Sequence, residues 1–142
     1  MAGIKRTPLD AVFSDLVRER ADWTCEVCGK EFPDRKGAGL HCSHFFGRRG
    51  LSTRHSGMNC TAMCYGCHQR LGSNPHEFRS FMFKHLGEPN YDELVLRANT
   101  PYKRSKFEKK EMEAHFKAQL AYIRRRRREN GETGVIPFVE WD

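Results

Sequence analysis

Leu9, Val12, Phe13, Leu16 and Val17 recur at helical spacing near the start of the chain and predict one amphipathic helix. Thr7 precedes it as an N-cap, Pro8 suits the first helical position, and Asp10 falls in the first turn, where an anion is favoured. This stripe is expected to cover a small core, and no catalytic residue stands out on it. Between residues 37 and 60 the pattern changes. Gly37, Gly39, Gly47, Gly50 and Gly57 punctuate short apolar stretches at 40–46 and 58–63, which favours a β-hairpin with a long connecting loop. A short helix is expected after Cys64. Asn74-Pro75 with Glu77 reads as a capping box before a helix that lines up Phe78, Phe81, Met82 and His85 and stops at Gly87. Asn90 is placed to cap another short helix running to about Ala98. The last predicted helix starts at a capping box, Ser105–Glu108, carries Met112, Phe116, Leu120 and Ile123 as its stripe, and ends at Asn130-Gly131. The expected fold is therefore α+β. Residues 1–104 form the main domain, 105–130 a long basic helix, and 131–142 an acidic-aromatic tail ending Phe138-Val139-Glu140-Trp141-Asp142.

Composition narrows the class. With 142 residues, 38% hydrophobic and 30% charged, the core is thin for the length. No apolar run approaches the roughly 18–20 residues of a membrane span, and residues 1–6 hold no signal-peptide core. A cytoplasmic location follows, and there six cysteines point to metal ligands rather than disulfides. The net charge of +7 is unevenly spread: residues 100–130 alone sum to +7, and the last twelve to −3. From Arg35 to His76 there is no Asp or Glu, yet Arg35, Lys36, Arg48, Arg49, Arg54 and Arg70 are all basic. A surface that meets phosphates excludes carboxylates, because each would repel the ligand.

Two CxxC pairs carry the clearest chemistry. Cys25-Glu26-Val27-Cys28 and Cys64-Tyr65-Gly66-Cys67 can supply four thiolates to one structural zinc ion, with a substructure looped out between them. Such a site adds folding free energy that the thin core lacks. Cys42 and Cys60 are left over and read as small buried residues.

Between and just after the knuckles lie His41, His44, Asn59 and His68. A strand histidine, a loop asparagine and a helix histidine hung on a zinc knuckle resemble the HNH endonuclease motif, whose fold is a ββα-metal finger. Within that group the chain is most similar to the NinG (Rap) family of phage recombination nucleases. The likeness rests on His41-Cys42-Ser43-His44, Arg54, Asn59, Cys64-Tyr65-Gly66-Cys67-His68, Leu71, Asn74, Glu77-Phe78-Arg79 and Gly87, and spans about residues 25–98. It implies a zinc-stapled finger set among helices and a DNA endonuclease acting on branched recombination intermediates in a bacterial or phage-infected cell. His44 would be the general base, Asn59 would orient the base-bearing loop, and His68 would hold a catalytic Mg²⁺ or Mn²⁺. Ser43 departs from the pattern, since many HNH enzymes carry a metal-binding Asp there. His41, which sits where a related branch has an Asp, is the expected second ligand.

Phosphodiester hydrolysis needs a base for water and a cation for the developing charge. Imidazole is a competent base near neutral pH. Nitrogen ligands make Mn²⁺ at least as good as Mg²⁺. Arg48, Arg49 and Arg54 are expected to grip the flanking phosphate, with Arg70 nearby. Arg124, Arg125, Arg126, Arg127 and Arg128 sweep the whole circumference of a helix, so they read as a sequence-indifferent phosphate grip. A zinc-stabilised nucleic-acid-binding module without catalysis is the competing reading. It gives no reason for His44, Asn59 and His68 to occur together. Base deamination is excluded, because the His-x-Glu and Pro-Cys-x-x-Cys pattern is missing. Homodimerisation through the last helix or the tail is expected as one way to cut two strands; the alternative is that both fold back on the core.

Overall fold

The computed structural model describes residues 4–36 and 39–141. Residues 1–3, Gly37, Ala38 and Asp142 lie outside the described residues, so the expectations that touch Gly37 and the tail's last residue are not addressed by it. Helix α1 spans Pro8–Arg20 and opens with a full capping box between Thr7 and Asp10. Leu9, Phe13, Leu16 and Val17 are buried, as the periodicity requires. After α1 the chain reverses through Asp22 and Trp23, both left-handed at φ 53°. Such a conformation is unusual for so large a residue. Tertiary packing holds it there: Trp23 is buried and donates its Nε1–H to Glu19 at 3.0 Å.

The first CxxC knuckle follows. Gly29, at φ 80°, turns the chain so that its N–H reaches the Cys25 carbonyl at 2.9 Å. Glu26 then fastens this knuckle to the sheet: its N–H donates to the Ala62 carbonyl and its carboxylate accepts from the Ala62 N–H at 2.7 Å. The sheet has two antiparallel strands, β1 (Leu40–His44) and β2 (Cys60–Cys64), with His44 opposite Cys60 and Leu40 opposite Cys64. Their long loop carries a one-turn helix, α2 (Leu51–Arg54), that the glycine spacing did not announce. Helix α3 (Tyr65–Gly72) leaves β2 at the second knuckle, with Cys64 as its N-cap.

Two more helices close that end. Helix α4 (Pro75–Leu86) buries Phe78 and Met82, but the expected capping box is absent. Asn74 instead donates to the Arg70 carbonyl at 2.6 Å, and Glu77 pairs with Arg70 at 3.1 Å. Helix α5 (Glu88–Ala98) starts two residues before the expected cap, with Gly87 as N-cap and Asn90 already inside it. Glycine at φ 82° ends one helix and begins the next.

Helix α6 (Lys106–Asn130) is the long basic helix, and Met112, Phe116, Leu120 and Ile123 are all buried. Ser105 caps it by accepting from the Glu108 N–H at 3.0 Å. The Glu108 carboxylate serves the tail instead, accepting from Tyr102 and from Trp141 Nε1. α6 packs chiefly on α1, with Phe116 edge-on to Phe13 at 5.0 Å. The tail folds back over this seam. Ile136 is buried and its N–H reaches the Arg20 carbonyl, and Phe138 packs edge-on against Phe13 and Phe116. The stripe and the tail are therefore used within the chain, and one core runs through all three predicted segments.

Candidate metal centres and the histidine cleft

The two knuckles converge. Ligand atoms of Cys25, Cys28, Cys64 and Cys67 lie within 4.8 Å of one another, and Cys28 and Cys64 bring their sulfurs to 3.7 Å. A tetrahedron of thiolates around zinc, with bonds of about 2.3 Å, has edges of about 3.8 Å. The group can hold one structural zinc ion. Hydrogen bonds from nearby backbone N–H groups outweigh burial and bring the Cys25 thiol down to about 7, which favours the thiolate that such a site requires.

Asn59, fully buried at the base of the β1–β2 loop, closes the loop on itself. Its Oδ1 accepts from the Phe46 N–H at 2.8 Å, and its Nδ2 donates to the carbonyls of Phe46 at 2.9 Å and Thr53 at 3.1 Å. An aspartate could not donate those two bonds, and an alanine would leave buried backbone groups unpaired. By pinning Thr53, this network sets the position of Arg54, the next residue. The Arg54 carbonyl then meets His44 Nε2 at 3.0 Å. A carbonyl only accepts, so Nε2 carries the proton of the neutral ring and Nδ1 is left to take another. Burial pushes the His44 pKa below its ordinary value despite that carbonyl, and Arg48 adds to the shift. His44 is thus held neutral and in one tautomer.

A cleft of about 340 Å³ runs along the outer edge of β1 and is lined by His41, His44 and His68 together, with Arg6 and Arg48 at its polar wall. Alternation along β1 sends His41 and His44 to opposite faces of the ribbon, and the exposed edge of a two-stranded sheet lets both reach one cleft. His41 lies flat against His68 on α3, with ring centroids 5.3 Å apart and planes within 1°. His68 Nδ1 is buried with no hydrogen-bond partner among the described residues, and burial together with His41 lowers its pKa. A buried imidazole nitrogen of this kind is completed by water or a bound ligand, and His41 and His68 are two imidazoles that could share one ion.

The arginines divide. Arg48 lines the cleft, and Arg49 is exposed nearby. Arg54, expected to grip phosphate, is mostly buried and turned to Asp10, with Nε 3.0 Å from Oδ1. Its contribution to the cleft is its backbone carbonyl. Arg70 lies away from the cleft, paired with Glu77. The five arginines of α6 are not one grip. Arg127 is buried and pairs with Glu19 at 3.2 Å, Arg124 reaches the same carboxylate at 3.5 Å, and Arg126 pairs with Glu132. Arg125 lies over the Tyr122 ring, and Arg128 is exposed. A helix that sweeps five residues round its circumference must turn some of them inward.

Several site residues carry no sequence signal of their own. Asp10, Ser14 and Arg18 bring α1 to the cleft, although that helix showed nothing catalytic. Asp10 is the hub: it accepts from Arg54, from Arg48 at 3.3 Å and from His55 Nε2 at 2.7 Å. Burial would raise its carboxyl, but hydrogen bonds from His55, Arg54 and Thr7 hold it far below the usual carboxylate range. His55 is buried. Arg104 donates to its Nδ1 at 2.8 Å, so the ring is neutral and donates from Nε2. Compared with family models, curated proteins and solved structures, the chain matches none.

Proposed function

We propose that the chain is a metal-dependent DNA endonuclease of the HNH kind, with branched recombination intermediates as its substrate class. One observation carries this reading: a single cleft joins a neutral, tautomer-locked His44 to the parallel pair His41 and His68. His44 Nδ1 accepts the proton of an attacking water. Asn59 and the Arg54 carbonyl keep that nitrogen aimed while the substrate binds. Arg48 and Arg6 meet the phosphate oxygens on the cleft wall, supplying charge-assisted hydrogen bonds as the phosphate gains charge. His68 and His41 would hold a Mg²⁺ or Mn²⁺ ion, which would supply Lewis-acid stabilisation of the developing charge. Zinc in the four-cysteine group holds β2 and α3, and therefore His68, in place.

The test is His44→Ala. It is expected to lower plasmid nicking in Mn²⁺ about 10²–10⁴-fold, the usual contribution of a general base. The four-cysteine group should keep its zinc, and DNA affinity should stay near wild type. Wild-type protein that nicks no DNA form in Mg²⁺ or Mn²⁺, yet still binds DNA, would leave a zinc-stabilised binding module instead.

A further inference from the structure

Cys42 and Cys60 lie outside both candidate centres described above, and they converge with the base. Strand register places His44 directly opposite Cys60 and Cys42 opposite Ala62. Alternation then puts Cys42, His44 and Cys60 on one face of the ribbon. Ala62 turns its N–H and carbonyl outward to Glu26, so the pairs on this face are the narrow ones, in which side chains approach most closely. Ligand atoms of Cys42, His44 and Cys60 all lie within 4.8 Å of one another. A fourth donor points to the same spot. The Arg54 carbonyl oxygen is 3.0 Å from His44 Nε2 and 3.9 Å from Cys60 Sγ.

Two thiols, an imidazole and a carbonyl form a soft donor set. Such a set selects Zn²⁺ or Cd²⁺ and has little affinity for Mg²⁺. We propose that Cys42, Cys60 and His44 form a second thiophilic metal site, which removes His44 from service as a base when filled. Cys42 and His44 both line the cleft, so an ion reaches the site from there. Binding at His44 Nε2 releases the thiol protons to solvent, shifts the ring proton from Nε2 to Nδ1 by exchange with water, and breaks the hydrogen bond to the Arg54 carbonyl. Catalytic and inhibitory ions would thus compete through one residue without sharing a ligand set.

The inhibitory claim rests on the nuclease reading; the site itself does not. Full-length protein, loaded with zinc, is equilibrated with Cd²⁺, desalted and analysed for metal by mass spectrometry. Wild type is expected to hold two thiophilic ions per chain, and Cys42→Ser and Cys60→Ala one each, with unchanged circular dichroism showing that the variants fold. One ion on wild type, or two on folded Cys60→Ala, overturns the site. In cleavage assays with Mn²⁺, added Zn²⁺ should suppress wild type and spare Cys60→Ala. Equal suppression of both overturns the inhibitory role, whereas no cleavage under any condition counts against the nuclease reading alone, since the ion count still decides the site.

Discussion

Asp10 and Glu19 stand at opposite ends of α1, both buried, and each gathers the cations around it. Asp10 holds Arg48, Arg54 and His55 beside the cleft. Glu19 holds Arg35, Arg124 and Arg127, and accepts from Trp23, at the foot of α6. The two hubs differ in what they leave over. Around Asp10 the pairs to Arg54 and His55 are enclosed while Arg48 is partly open to the cleft, and the residues they fix also position the candidate base. Around Glu19 the pairs tie α6 to α1 while Arg125 and Arg128 remain outside them. One hub braces the candidate site; the other fastens two helices and leaves charge at the surface.

Asp10→Ala should separate them most sharply. It strands a buried guanidinium and an imidazole, and the loss of one partner of a buried pair costs about 3–5 kcal/mol. Urea denaturation is expected to show a loss of that size together with loss of nicking. A change near 1 kcal/mol, typical of exposed pairs, would demote Asp10 to an ordinary capping residue. Arg127→Ala should be milder, at about 1–3 kcal/mol, because Glu19 keeps Arg35 and Arg124 as partners. Its nicking activity should persist at a temperature where the variant is folded.

Acid should act at the Asp10 end. The His55 pKa is lowered in the fold, chiefly by burial, so below about 6.5 the unfolded chain takes up its proton first. Stability is then full above about pH 6.5 and falls as pH drops, by at most about 1.4 kcal/mol per pH unit for one group. Asp10 adds its own loss at lower pH, below the unfolded carboxylate value of about 3.9. His44 and His68 shift in the same direction, so His55→Gln should flatten the first decline without abolishing it. A pH profile identical to wild type would show that His55 does not titrate with unfolding. The smallest effect belongs to Arg128→Gln. Stability should change by less than about 0.5 kcal/mol, while the slope of log K against log salt for duplex DNA falls by about 1. An unchanged slope would place DNA elsewhere than the end of α6.

The same contrast explains what could be read without coordinates. Phe13, Phe116 and Ile123 were legible because burial repeats with the helical period, and the four zinc-site cysteines because a knuckle is local in sequence. Asn59 and His68 were legible through their offsets from Cys64 and Cys67 and the family resemblance those offsets support. Asp10 was hidden by its own cap: Thr7 and the dipole account for it fully, so nothing hinted at Arg54, forty-four residues away. His55 had no periodic partner and no motif around it, so nothing in the sequence pointed to its enclosure by Phe13 and Arg104. Arg127 was concealed by its neighbours, since a run of identical residues says nothing about which one turns inward.

The returning tail has a consequence for biosynthesis. Gly57, in the loop that fixes His44, is backed by Phe138 and Glu140 so closely that even a methyl group there would collide with them. That support arrives only after residue 140 has left the ribosome. Until then the loop is incompletely braced, so its final order should follow synthesis of the tail rather than of the sheet.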